Sequence, residues 1–574
     1  MNSKKFKNVL YDFREITDLR DMVNSSAELF AEMDAYLVKE KHGSDYRPIK
    51  FEQVKKDIDA LGTKWINMGL KGKKIAVIGE NSYKWVMTYL SVTNGTGVIV
   101  PLDRELPAKE IANLLERGEV SCLVCSKKLV KTVEEAKNYL EKSLDYVVCM
   151  DDVEGMLSLN TLLAEGQALV ASGDRSFIDA EIDREAMCSL LFTSGTTGLA
   201  KGVMLSHKNI SANVYNMSKY VKIPEGYTGL SVLPMHHSYE LTCHIFTGFY
   251  QGMTVAICEG LKYITKNMGE ASASVMLGVP LVFESMHKKL FKQAQASGNL
   301  EKMKKAMALS KTLKLYNKPE VVKKMFKDVH AALGGSMDIL IAGGAAIDPT
   351  VIEDFQALGF TMIQGYGMTE CAPIIAVNKI YYSKPASAGL PMPGTEIKIV
   401  DPDEKGVGEI VCKGDSVMIG YYNNPEETAA VLQDGWLHTG DYGYFDKDGF
   451  LYICGRKKSV IVTKNGKNIF PEEVEFYLQQ SPYIQEVLVH GIEDEKSGDT
   501  VVKAEIYLDR DAIVQEEGEL SEKEIRDFMK KEIDKINEQM TPYKRVKRFG
   551  IRETEFEKTT TKKIKRFSKE NLGQ

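Results

Sequence analysis

Between Phe51 and Val124 the chain alternates two hydrophobic periods, and that alternation leaves few folds open to it. Phe51, Val54, Ile58, Leu61, Trp65 and Ile66 recur at steps of three and four, which predicts a helix over 50–70 ended by Gly69. Residues 74–79, Lys-Ile-Ala-Val-Ile-Gly, then form a short apolar run of buried-strand type. Helix 82–93, strand 97–100, helix 108–116 and strand 122–124 continue the rhythm, and signals at 231–258 and 274–280 repeat it around a second half. Strands spaced by helices predict an α/β fold whose doubly wound, largely parallel sheets carry helices on both faces.

At 574 residues the chain exceeds one core, and length alone suggests three or four domain-sized units. From about 395 to 455 the strands shorten and Gly, Asp and Asn become frequent, as in Gly408-Glu409-Ile410-Val411-Cys412, which predicts a small β-barrel-like subdomain. Gly455-Arg456-Lys457-Lys458 closes it. The expected division is therefore a large N-terminal domain over 1–457, with its β-rich part at 395–455, and a smaller α+β domain over 458–574. Residues 284–333 interrupt the alternation with a lysine-rich helical stretch. Val322, Met325, Phe326, Val329 and Leu333 make one apolar stripe there, as on a helix packed against its parent domain or laid on anionic lipid.

Composition excludes several classes. Apolar content of 44% and charged content of 27% are those of a globular chain, not a disordered one. A net charge of −6 argues against bulk attraction to nucleic acid. Nine scattered cysteines suit reduced thiols in a cytoplasmic protein, and Cys122 and Cys125 lie in an apolar run that reads as core. The first residues lack an apolar core of signal-peptide length, and the apolar stretch 245–258 is too short to span a bilayer, so the expected membrane contact is at most peripheral, at the inner face.

Three glycine-rich loops follow strands. The first is Thr193-Ser194-Gly195-Thr196-Thr197-Gly198-Leu199-Ala200-Lys201-Gly202, between an apolar run and the return strand of a hairpin. Its glycines free the backbone N–H groups to turn inward, its hydroxyls donate, and Lys201 adds a positive charge, which together suit phosphate. It is no Walker A loop, because Ala200 precedes the lysine, Gly202 follows it, and the next residues favour a strand. The strand at 338–341 ends in Gly343-Gly344-Ala345, and the strand at 360–363 ends in Gln364-Gly365-Tyr366-Gly367-Met368-Thr369-Glu370. Ligands bind at such carboxyl ends in open α/β sheets.

With Leu233-Pro234-Met235-His236-His237-Ser238-Tyr239-Glu240, the stretch 434–441, Gly455-Arg456 and Thr561-Lys562-Lys563-Ile564-Lys565-Arg566, these loops make seven motifs in one order. In that order the chain resembles the adenylate-forming superfamily of acyl-CoA synthetases, acyl and aryl ligases and peptide-synthetase adenylation domains, over residues 25–567. The resemblance implies that ATP and a carboxylate give an acyl-adenylate, and that a thiol then displaces AMP. It implies that residues 193–202 cradle the β- and γ-phosphates with Lys201 as counter-charge. Thr369 would touch the α-phosphate, Glu370 would ligate Mg2+, and Gly343, Gly344, Ala345 and Tyr366 would receive adenine. Asp441 would bind the ribose hydroxyls, and Arg456 would join the nucleotide set.

His237 and Glu240 fall in the family's acyl-pocket segment, His237 as a gate or carboxylate contact. The resemblance further implies a lysine, Lys563 by register, that bridges the substrate carboxylate and the α-phosphate. Lys562 stands where glycine is usual and Glu557 where proline is usual, so the choice between 562 and 563 stays open, with Ile564 and Arg566 favouring Lys563. A rotation of the small domain about Lys458 would bring Gly466 to line the pantetheine path. Residues 278–284 and 434–441 look most like the fatty-acyl branch, so the expected substrates are a medium- to long-chain fatty acid, ATP and coenzyme A. Two other readings stay open: transfer to an acyl carrier protein, and a noncatalytic lipid- or nucleic-acid-binding protein that uses the C-terminal cations.

Overall fold

The structure is a computed structural model that describes residues 6–193, 200–315, 318–463, 467–494, 499–558 and 564–573. The chain divides into two compact units, Met1–Ile397 with Cys412–Leu437, and Lys398–Val411 with His438–Gln574. The sequence reading sets a single division at 457/458. The units interleave along the chain instead, since Thr395–Val400, Gly408–Gly414 and Trp436–Phe445 each begin in one unit and end in the other.

The first unit holds two large sheets. One has eight strands, in the order Gly420–Tyr421, Lys201–Ser206, Met187–Thr193, Val98–Leu102, Lys74–Ile78, Cys122–Cys125, Tyr146–Cys149 and Leu157–Ser158. Its centre is parallel, with Lys74 facing Val98 and Ile75 facing Cys122. The helix Phe51–Asn67 buries the periodic positions Phe51, Val54, Ile58, Leu61 and Trp65. Ser82 starts the helix Tyr83–Thr93 by accepting the N–H of Trp85. All four residues of Cys122–Cys125 are buried. Burial pushes the Cys125 thiol up to about 12 and the Cys122 thiol higher still, so both remain neutral core side chains.

The second sheet has nine strands, ordered Leu390–Pro391, Ile374–Val377, Thr361–Gly367, Ile339–Ala342, Val275–Gly278, Thr228–Ser231, Thr254–Ile257, Asp34–Val38 and Arg47–Lys50. Here the strand expected to end at 363 continues to Gly367. The antiparallel partner Ile374–Val377 takes up its backbone groups, with Gly365 facing Val377 and Tyr366 facing Ala376.

The lysine-rich stretch forms the helices Pro280–Ala296, Leu300–Thr312, Pro319–Met325 and Lys327–Ala332. Its expected stripe is not one helix, because the backbone leaves helical geometry at Phe326. Val322, Phe326 and Leu333 turn into a core with Phe283, Met303 and Met307, while Met325 remains outside.

In the second unit Trp436–Phe445 pairs antiparallel with Leu451–Arg456. A three-stranded sheet of Ile484–Glu493, Thr500–Leu508 and Val546–Arg552 packs Val487 and Ile506 against Val474 and Leu478 of the helix Pro471–Leu478 and Met529 and Ile533 of the helix Glu522–Asn537.

Candidate functional site

The first glycine loop springs from a regular hairpin. Thr193 faces Lys201 and Phe192 faces Gly202, and the Thr193 hydroxyl donates to the Lys201 carbonyl at 3.4 Å. Ser194, Gly195, Thr196, Thr197 and Gly198 lie outside the described residues. Their C-terminal anchor is held by the Arg117 guanidinium, which donates to the Ala200 carbonyl at 2.6 Å. The Lys201 ammonium pairs with the Glu427 carboxylate and stands 4.9 Å from the centre of the Tyr421 ring. Arg117, Phe192, Lys201, Tyr421, Tyr422 and Asn423 line a cleft of about 190 Å³ there.

Tyr421 links that cleft to the Tyr366-Gly367-Met368-Thr369-Glu370 segment, because its hydroxyl donates to Glu370 Oε1 at 2.9 Å. Past the strand Thr361–Gly367 the chain makes a 3₁₀ turn at Thr369–Cys371. Gly367 permits the turn: a Cβ there would lie 2.0 Å from the Pro373 carbonyl oxygen, which accepts the Met368 N–H at 2.8 Å. The Glu370 carbonyl accepts the N–H of Met418 at 2.9 Å, a second tie between the two segments. The Thr369 and Ser238 hydroxyls are 3.4 Å apart. Lys201 and Glu370, far apart in sequence, thus meet around one tyrosine that the sequence reading did not single out, with Thr369 next to Glu370 in the chain.

The histidine segment lies on the same unit. His237 precedes the short helix Ser238–Glu240, and its ring centre is 4.1 Å from that of His236, whose Nε2 stands 3.6 Å from Asp103 Oδ2. Glu240 is engaged away from solvent, with its Oε1 2.9 Å from His244 Nδ1 and both side chains fully buried. Tyr239 donates to the Ile341 carbonyl at 2.9 Å. Its ring occupies the space a side chain at Gly343 would need, 2.6 Å from the Cβ position.

Gly344 and Ala345 are exposed, a bare backbone surface against which a flat ring can lie. Tyr366 packs partly against the core. Gln364 donates to the Pro385 carbonyl at 2.6 Å, so its amide group already has a partner in the fold. Below these residues a small apolar cavity of about 20 Å³ is lined by Val221, Tyr239, Cys243, Leu277, Ile341 and Gly365 among others.

In the second unit, Asp441 and Arg456 face each other across paired strands, and Arg456 Nε lies 2.8 Å from Asp441 Oδ1. Asp441 is nearly inaccessible and Arg456 half exposed. Lys457, just before Lys458, pairs with Glu409 at 2.8 Å. Gly466 and both candidate lysines, Lys562 and Lys563, lie outside the described residues. The chain on either side of the lysines is firmly tied. Lys558 forms a bridge with Ile564, Lys558 pairs with Glu486, and Arg566 pairs with Glu475. The buried Asn571 donates to the carbonyls of Glu557 at 2.9 Å and Lys565 at 3.0 Å, and accepts the Glu557 N–H at 2.8 Å.

The residues missed in sequence are Tyr421, Glu427, Arg117 and Ser238. The signal for Glu427 was present in Asn424-Pro425-Glu426-Glu427, a helix start in which Asn424 accepts the Glu427 N–H; the reach of that carboxylate to Lys201 was not. Among the described residues no three His, Cys, Asp or Glu side chains cluster to hold a metal. The Glu370 carboxylate, which accepts from the Tyr421 hydroxyl, is a hard oxygen donor of the kind magnesium prefers.

Comparison with known proteins agrees in both units. The family described as AMP-binding enzyme matches residues 26–422, and the AMP-binding enzyme C-terminal domain matches residues 473–563. A long-chain-fatty-acid–CoA ligase of Bacillus subtilis is 30% identical over 480 residues, 77% of this chain and 78% of that one. A chloroplastic long-chain-fatty-acid–[acyl-carrier-protein] ligase of Arabidopsis thaliana is 28% identical over 558 residues, 84% of this chain and 76% of that one. The fold is that of an anthranilate CoA ligase solved with anthranoyl-AMP, with TM-score 0.75 and 22% identity over 97% of this chain and 96% of that one. It is also that of the Bacillus subtilis o-succinylbenzoate CoA synthetase solved with ATP and magnesium, with TM-score 0.71 and 23% identity over 95% and 98%.

Proposed function

The chain belongs to the adenylate-forming family of AMP-binding enzymes, and on that premise we propose that it converts a medium- to long-chain fatty acid to its coenzyme A thioester through an acyl-adenylate. The convergence of Lys201, Tyr421 and Glu370 carries the reading. A carboxylate is a poor electrophile, because its charge repels nucleophiles and oxide does not leave. In the first half-reaction its oxygen attacks the α-phosphorus of ATP and pyrophosphate departs. In the second, a thiolate attacks the acyl carbon and AMP departs. Both steps need cations and donors set in place beforehand around crowded anions.

The residues divide this work. Lys201, with the hydroxyls and N–H groups of 193–198, would hold the β- and γ-phosphates; ATP would displace Glu427 as its counter-charge. Thr369 would donate to the α-phosphate. Magnesium held at Glu370 would offset phosphate charge, and the Tyr421 hydroxyl fixes the carboxylate that holds it. Asp441, held across the paired strands by Arg456, would offer its carboxylate oxygens to the ribose hydroxyls. Lys563 would bring its positive charge to the oxygens between carboxylate and α-phosphorus. His237 would stand at the acyl entrance. The mostly apolar lining of the small cavity beside Tyr239, with the fatty-acid names of the relatives, supports an alkyl substrate over an amino acid.

An acyl-carrier-protein acceptor is the second reading, supported by the name of the Arabidopsis relative. Pyrophosphate and AMP release across fatty, aryl and amino acids, with and without coenzyme A, tests both. Turnover that needs a fatty acid and coenzyme A together supports the synthetase. Pyrophosphate without a coenzyme A thioester supports the carrier-protein ligase, and silence across the panel refutes both.

A further inference from the structure

The lysine-rich helices over 284–333 have no part in the site just described. This stretch carries twelve lysines against four carboxylates and no arginine, a local excess of eight positive charges in a chain whose net charge is −6. The helix Leu300–Thr312 turns Met303, Met307 and Ser310 inward. On a separate line of the same helix, at steps of three and four, stand Lys302, Lys305, Leu309 and the following Leu313. Leu309 is 49% exposed and Leu313 58%. The helix Pro319–Met325 repeats the arrangement: Val322 is buried, while Val321 at 46% and Met325 at 38% face out beside Lys324. Met303, Met307 and Val322 enter the same core, so both helices present their other faces outward from it.

We propose that these two helices dock the protein on an anionic lipid surface. The apolar pairs enter the headgroup region, and the lysines around them meet phosphate charge. Three observations point to lipid. Lys302, Lys305, Lys314, Lys318 and Lys324 have no carboxylate within ion-pair distance among the described residues, so their charge is free for a partner. Lysine without arginine gives strongly hydrated point charges on flexible stems, suited to a diffuse anionic plane and poorly suited to bidentate recognition of one phosphate or carboxylate. Large aliphatic side chains set among the lysines gain nothing against a polyelectrolyte but bury their surface in lipid. No described helix is long and apolar enough to cross a bilayer, so the contact lies in the plane of the surface.

Co-sedimentation of the full chain with phosphatidylcholine vesicles, alone or with one third phosphatidylglycerol, tests this. The expected result is binding at least tenfold tighter to the anionic vesicles, falling with added salt. K305E/K314E/K318E should abolish that preference, and L309Q/L313Q should weaken binding severalfold at unchanged salt dependence. Both variants should keep the wild-type melting temperature and pyrophosphate release with a water-soluble medium-chain acid. Equal binding to both vesicle types, retention by the charge-reversed variant, no binding by the wild type, or tighter binding to RNA than to the anionic vesicles would each overturn the proposal.

Discussion

The Tyr421 hydroxyl donates to Glu370 Oε1 across 2.9 Å while the same ring faces the Lys201 ammonium at 4.9 Å. One side chain therefore fixes both the carboxylate and the cation that the proposed reaction requires. Tyr421→Phe keeps the ring and removes the donor. A hydrogen bond to a charged group is worth about 1.5–3 kcal/mol, so pyrophosphate release should fall by about tenfold or more, with a raised half-saturating magnesium concentration. Tyr421→Leu should in addition raise the KM for ATP. A magnesium titration of the first half-reaction checks both.

Lys201→Ala should raise the KM for ATP by at least about tenfold, since a charge-assisted contact to phosphate is lost. Glu427→Gln should change it by less than about fivefold, because the Lys201 partner is 42% exposed and such pairs contribute about 0–1 kcal/mol. Initial-rate kinetics against ATP separate the two.

Lys563→Ala should reduce adenylate formation from acid and ATP by about 10²–10³, the scale of losing one electrostatic group at a transition state. Thioester formation from preformed acyl-adenylate should stay within about threefold of wild type. Lys562→Ala should show neither effect. If the two variants exchange behaviour, the register moves to 562; equal loss in both half-reactions would refute the division of labour.

Gly343→Ala places a methyl group 2.6 Å from the Tyr239 ring, and overpacking of that kind costs about 1–3 kcal/mol. A lower melting temperature and weaker turnover are expected. Tyr239→Leu in the same chain should restore stability, while enlarging the apolar cavity enough to shift preference toward longer acids. Thermal melts and an acyl-chain panel provide the two readouts.

His207 predicts a pH dependence. Its Nδ1 accepts the Leu19 N–H at 3.2 Å and its Nε2 lies 3.1 Å from the Thr93 carbonyl, an arrangement that needs a neutral ring. Burial lowers its pKa from 6.5 to about 4. Below 6.5 the unfolded chain takes up the proton first, so the stability from this group is complete above pH 6.5 and is lost as pH falls toward 4, by at most about 3 kcal/mol. Denaturant melts between pH 7 and 4 should show that loss, and His207→Gln should flatten it.

Local periodicity made most of the fold legible. The Phe51 stripe is the buried face of its helix, and the apolar run at 122–125 is a buried strand. The stripe from Val322 to Leu333 packs mostly into its own unit, as one of its two readings expected, but a sequence period does not register the backbone break at Phe326 that splits it between two helices. The strand through Tyr366 ran past its expected end because its partner at 374–377 follows a turn whose geometry depends on Pro373 and Gly367 together. At the site, glycines and hydroxyls announced their loops, but Tyr421 carried no mark of its role. It looks like any aromatic residue until folding brings it beside residues 201 and 370.

The bonds of Asn571 give the chain's last described turn an unexpected practical weight. This side chain clasps the backbone on both sides of 559–563, so Asn571→Ala would remove no charge from the proposed chemistry and still loosen both banks of the segment that carries Lys562 and Lys563. The Asn571→Ala protein should be slow in making adenylate while remaining folded.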